Sequence, residues 1–217
     1  NLKYVLFEVS YMHLELPYHS KDYWKNNIYL KYYGVNTFER NTYFKDRLVY
    51  LSYPRFFSSK LKDYYLLSNK TNKSELNEYG FDTNNYYGTF QKLHYDPDQI
   101  RNQFFKIYTR ENLDIFKTNT AYLYKMLDYM QAKKLKVIIG TMPLYKNYIK
   151  RRNPNIIRRR DSVLSVILKK YDNVVLLNKE TDTVHFKIKD FLNQNHLNPD
   201  GAKKFTALVN QKLDSLN

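Results

Sequence analysis

The sequence predicts an α/β fold built on a parallel sheet, a three-layer α/β/α arrangement. Three short apolar runs carry that reading: "KYVLFEVSY" (Lys3 to Tyr11), "LKVIIGTMP" (Leu135 to Pro143) and "NVVLLN" (Asn173 to Asn178). Each is rich in β-formers and apolar on both faces, as a strand sandwiched between helices must be. Segments of helical spacing separate the second and third runs and follow the third. Strand, helix, strand, helix, strand, helix is the rhythm of a parallel sheet with helical cover.

The elements follow in order. In the first run Glu8 is the odd residue. It marks either a strand end reaching a site or an acid paired with a nearby base. Residues 12–110 are aromatic and polar with no long clean period, and read as a helical or irregular insertion within a single domain spanning 1–217. Within it "SNKTNKSELNEYGFDTNN", Ser68 to Asn85, is dense in turn formers and predicts an exposed excursion.

From Asn112 the pattern tightens. Leu113, Phe116, Thr120, Leu123, Leu127 and Met130 recur at threes and fours, the signature of an amphipathic helix. Met126, Met130 and the aromatics of this helix are assigned to the core. Gly140 and Pro143 stop the second strand. "IIRRRDSVLSVILKKY" predicts the next helix, and "PDGAKKFTALVNQKLDSL" the closing one, with Pro199 in its first turn. There is no internal repeat.

Composition bounds the function. The chain has 217 residues, 43% of them hydrophobic, which suits a globular domain with a sizeable core. Its 23 tyrosines and 13 phenylalanines allow aromatic area to be buried with a polar tip. Net charge is +15, and the sharpest basic cluster is "KRRNPNIIRRR", Lys150 to Arg160. No RNA-binding signature, zinc-finger spacing or phosphate loop accompanies it. The cluster reads as a solvated basic surface with no specific nucleic-acid partner; a polyanion contact is the alternative.

The absence of cysteine excludes disulfides, thiolate metal sites and cysteine nucleophiles. No histidine pair shows metal-ligand spacing with a third ligand, so neither metal nor cofactor is expected. No apolar run approaches the roughly 18 residues of a membrane span, and no targeting segment is visible. The chain opens directly on an apolar run without a methionine. We therefore expect it to be cut from something longer.

In parallel sheets functional groups sit beyond the C-terminal ends of the strands. Here these are "EVSYMH", "GTMPLY" and the loop leading to "NQNHLNPDGA". His196 in the last is placed for acid–base work. The same stretch has a structural logic, with Leu197 tucking into the core, Asn198 capping the helix and Pro199 opening it. Of the other histidines, His13 and His19 lie just beyond the first strand. His94 sits in a turn beside "YDPDQ", and His185 belongs to an extended segment with Val184 and Phe186.

"HLNPDGAKKF", His196 to Phe205, resembles the last conserved block of the SGNH/GDSL hydrolase superfamily, and the layout from about residue 111 onward is similar to that family's flavodoxin-like fold. The resemblance implies an envelope-associated serine esterase or O-acyltransferase acting on acyl esters, with cell-envelope carbohydrate as carrier and the envelope or periplasm as location. It implies a Ser-His-Asp triad in which an Asp-x-x-His motif supplies two members.

Two departures stand out. The family's Gly-Asp-Ser block is missing, so its first strand is expected upstream of this chain; Ser10 is the alternative nucleophile, although Glu8 and Val9 stand where a tight turn is needed. Asn193 occupies the aspartate position, three before His196. Asp190 is the nearest acid. Ser52, Ser58 and Ser59 are further serines to consider. The isolated chain is expected to be inactive. The alternative function is a non-catalytic SGNH-like module binding polysaccharide or a protein partner.

Overall fold

A computed structural model describes residues 2–16, 58, 61–62, 65–66 and 86–216. The chain divides into two compact units, Asn1–Leu16 with Asn84–Asn217, and Pro17–Thr83. Residues 12–16 and 84–110, read from the sequence as part of the insertion, therefore group with the sheet. In the second unit Ser58, Leu61, Lys62 and Tyr65 are helical. The excursion expected at 68–85, His19, Ser52 and Ser59 lie outside the described residues.

The first unit carries a parallel sheet of three strands, β1 (Tyr4–Glu8), β2 (Lys136–Thr141) and β3 (Val174–Asn178), in the order β1-β2-β3. Tyr4 stands opposite Lys136, and Val137 opposite Val174. The three apolar runs are thus parallel neighbours, as expected. The helices are α1 (Gly88–Lys92), α2 (Pro97–Asn102), α3 (Leu113–Ala132), α4 (Lys146–Arg151), α5 (Pro154–Lys170) and α6 (Pro199–Asp214).

Alternation along the strands sends side chains to two cores. Val137 and Ile139 meet Leu123 and Leu127 of α3 and Val163, Leu164 and Ile167 of α5. Leu177 meets Phe205 and Val209 of α6, with Phe90 of α1 and Ile100 of α2. β2, in the middle, buries Val137, Ile138 and Ile139 completely. Each such side chain stabilises the fold by about 1.5–3 kcal/mol. On α3 the assignment of Met126 to the core is corrected. It is more than a third exposed, as are Tyr122 and Tyr129, which corrects the reading of all the helix aromatics as core; Phe116, Tyr124 and Met130 pack against the core.

Asparagine begins three of the helices. Asn112, Asn153 and Asn198 each accept a backbone N–H from the first turn of α3, α5 and α6, and proline follows the last two. The asparagine and proline of "HLNPDGA" therefore have the structural roles read from the sequence.

The basic run Lys150 to Arg160 is not a uniformly solvated surface. Arg160 is buried and donates to both oxygens of buried Glu180 at 2.8 and 2.7 Å. Arg152 Nη1 lies 2.7 Å from the same carboxylate, in an ion pair whose angle falls short of a hydrogen bond. Arg159 binds buried Glu15 and also Glu111. Arg151 stacks over Phe105. Lys150 and Arg158 remain on the surface. A buried guanidinium needs a carboxylate; Arg160 Nε also donates to neighbouring Asp161 at 2.8 Å, but Glu15, Glu111 and Glu180 are remote in sequence.

Candidate functional site

The strand ends are tied together. At the end of β2 the Thr141 hydroxyl donates to Asn178 Oδ1 of β3 at 2.6 Å, and the same oxygen accepts the Glu180 N–H. Leu144 N–H then donates to the Glu180 carbonyl. The Arg160–Glu180 pair fixes this edge from beneath. Burial alone would raise the Glu180 carboxyl, but the hydrogen bonds and charge of Arg160, then the charge of Arg152, outweigh it and hold it below its ordinary range.

His196 lies in the loop before α6, and its side chain is exposed. Asn193 Oδ1 accepts three N–H groups, from Asn195, from His196 and from the His196 ring at Nδ1, the last at 3.0 Å. Because that oxygen faces two backbone donors, it can only accept from the ring. The ring therefore carries its proton on Nδ1 and presents the Nε2 lone pair outward. Asn193 sets orientation and tautomer, as an aspartate would, but supplies no charge.

The loop is braced on all sides. Phe191 and Leu197 form an isolated antiparallel bridge across it. Its Gln194, buried, donates to Gln103 Oε1 at 3.0 Å, and the Gln194 carbonyl accepts Tyr145 N–H. Phe90 N–H donates to the Leu192 carbonyl, and the rings of Phe90, Tyr145 and Phe191 pack edge to face. Gly88 has φ of +60°, and a Cβ there would lie 2.3 Å from Leu192 Cγ. The motif glycine, Gly201, has an equally concrete reason. A Cβ on it would lie 2.1 Å from the Asp190 carbonyl oxygen, which accepts Asn198 N–H. Residues 86–103, unexplained by the sequence, thus build the wall behind the His196 loop.

The remaining expected residues are placed elsewhere. Asp190 is buried in the 3-10 turn Ile188–Asp190, where its carboxylate accepts Lys187 N–H and pairs with Lys204 at 2.8 Å. It makes no hydrogen bond to His196. Ser10 N–H lies 3.1 Å from His13 Nδ1, which also lies 3.2 Å from the Glu8 carbonyl. Among the described residues Ser10 makes no hydrogen bond to His196, and Glu8 makes no ion pair. Tyr11 is core. Its hydroxyl donates to the Tyr108 carbonyl and accepts Asn153 N–H, and its ring meets Tyr148 edge-on. Burial pushes the Tyr148 hydroxyl up to about 12. Ser58 is exposed in its helix. His94 is in a turn, as read, with φ of +51°.

His185 is corrected. It is not in an extended strand but closes a tight turn on Asp182, whose carboxylate accepts Val184 N–H, His185 N–H and the His185 ring Nδ1. The signal was visible as Asp-x-x-His, "DTVH". It was masked by the alternation of Val184, His185 and Phe186.

Among the described residues no group of histidine and acidic side chains is arranged to hold a metal ion, and no helix is long and apolar enough to cross a membrane. Family models, curated proteins and solved structures give no match to this chain.

Proposed function

We propose that this chain carries the acid–base half of an SGNH-like serine esterase or O-acyltransferase site, acting on acyl esters of cell-envelope carbohydrate. The observation that carries the reading is the Asn193–His196 contact. An imidazole at the functional edge of a parallel α/β sheet is held by its Nδ1 proton, with Nε2 free to accept a proton from a nucleophile. Helical cover on both sheet faces supports the finer three-layer, SGNH-like arrangement. In this reading a serine outside the described contacts of His196 attacks the ester carbonyl, His196 takes its proton and returns it to the leaving alcohol. Asn193 keeps the ring in register without stabilising the imidazolium by charge.

The second reading, a non-catalytic module that binds polysaccharide or a protein, is favoured by the absence of a hydrogen bond between Ser10 and His196. One experiment separates them. Hydrolysis of acetyl esters is measured for wild type, His196→Ala, Ser10→Ala and Asn193→Asp. Activity that His196→Ala removes and Asn193→Asp raises supports the enzyme. The same null rate in all four supports the binding module.

A further inference from the structure

The outer face of α3 is not built as a purely solvated one. Met126, Tyr129 and Lys133 follow one another at i, i+3 and i+7 and so share a side of the helix, with Lys125 one turn before Tyr129. Tyr129 is 62% exposed, and Met126 is on the surface with it. The Lys133 ammonium stands 5.7 Å from the centre of the Tyr129 ring. From Ile115 to Ala132 the helix carries one acid, Asp128, and that acid is taken up by the Tyr171 hydroxyl and the Lys170 ammonium.

The fold extends this face with residues remote in sequence. α3 ends where β2 begins, and the Lys136 N–H donates to the Lys3 carbonyl. Leu2 and Lys3 therefore stand at the same N-terminal edge of the sheet as Lys133 and Lys134. Leu2 is 70% exposed. Lys3, Lys125, Lys133 and Lys134 are exposed and form no ion pair among the described residues. Asp172, the other acid alongside α3, accepts Gln131 at 3.3 Å. Four unpaired ammonium groups thus accompany an exposed leucine, methionine and tyrosine.

That mixture selects the partner. The cations of this face are all lysine, a point charge on a flexible stem. Arg152, Arg159 and Arg160, whose planar forks suit phosphodiesters and bases, are held by Glu15, Glu111 and Glu180. Aliphatic Leu2 and Met126 gain little against a hydrated polyanion but are taken from water at the edge of an acyl-chain layer. Tyrosine suits the headgroup level, where its ring is dry and its hydroxyl wet. We propose that the outer face of α3 from Lys125 to Lys134, with Leu2 and Lys3, docks on a bilayer surface of anionic phospholipid. The lysines lie on headgroup phosphates, and Leu2, Met126 and Tyr129 enter the boundary beneath them. The net charge of +15 draws the chain to such a surface. The strand ends near His196 are at the opposite edge of the sheet, so this surface stands or falls without the acyl-ester reading.

The test is cosedimentation of the full chain, at physiological ionic strength, with vesicles of phosphatidylglycerol and phosphatidylcholine in equal parts and with vesicles of phosphatidylcholine alone. Binding to the anionic vesicles only is expected. Lys133→Gln combined with Lys134→Asn should weaken it about tenfold or more; asparagine suits the left-handed backbone of Lys134, at φ of +56°. Tyr129→Ser should weaken it about threefold or more. Arg158→Gln combined with Lys106→Gln removes the same charge from exposed positions outside this face and should leave binding within about twofold. Urea midpoints matching wild type verify that the surface changes leave the fold intact. No binding to the anionic vesicles, equal binding to both kinds, or an equal loss in the two double variants overturns the inference. So does tighter binding to heparin or single-stranded DNA that Tyr129→Ser leaves unchanged, which would assign the face to a soluble polyanion.

Discussion

Arg160 grips Glu180 through two hydrogen bonds, and both side chains are buried, with Glu180 two residues beyond the C-terminal end of β3. The pair joins α5 to the loop after β3, while Arg152 at the end of α4 shares the same carboxylate. Leaving one member of such a pair without its partner strands a buried charge. Arg160→Leu and Glu180→Leu should each lower stability to unfolding by about 3–5 kcal/mol. Replacing both together should cost less than the sum, read from urea unfolding in a double-mutant cycle. Additive losses would mean that the pair is not coupled.

The same pair sets an acid limit. In the fold the Glu180 carboxyl is held below its ordinary value of 4.5. Its contribution is therefore present above that value and is lost as pH falls through the folded value. Unfolding midpoints measured from pH 6 downward should fall more steeply in wild type than in Glu180→Gln. Parallel curves would show that other carboxylates govern acid unfolding.

Within the basic run the arginines should behave unlike one another. Arg158→Gln should change stability by no more than about 0.5 kcal/mol, since its side chain is on the surface. Arg159→Gln should cost about 1.5–3 kcal/mol through the lost charged hydrogen bonds to Glu15 and Glu111. Thermal unfolding of the two variants decides this. Equal effects would return the run to a solvated surface.

Gly201→Ala should destabilise by about 1–3 kcal/mol or more, because its Cβ meets a backbone carbonyl that cannot rotate away. The shift should also reach His196, two residues before Asn198, whose carbonyl accepts the Ala202 N–H of α6. Ring proton shifts of His196 in NMR spectra would report it. An alanine variant with wild-type stability and an unmoved ring would exclude the close approach.

The sheet was legible because β1, β2 and β3 are apolar on both faces and short, and the helix starts because asparagine and proline act within four residues. Asn193 and His196 were legible for the same reason, being three apart. The roles of Arg152, Arg159 and Arg160 were not, since Glu15 and Glu180 are brought to them by the fold and a run of bases looks solvated on paper. Nor was the packing of Gly88 under Leu192, or of Gln103 on Gln194, which join distant segments. The Asp182 turn was hidden by a side-chain alternation that imitates a strand.

The pairing of Tyr4 with Lys136 has a consequence for biosynthesis. Parallel neighbours cannot be joined by a hairpin, and here the partner strand is made much later. At ordinary translation speeds the ribosome needs on the order of ten seconds between the two. During that interval "YVLFE" has left the exit tunnel, or is leaving it, with no sheet to join. The nascent chain is then a natural client for chaperones that hold extended apolar segments, and slowing translation between the two strands should lengthen that dependence.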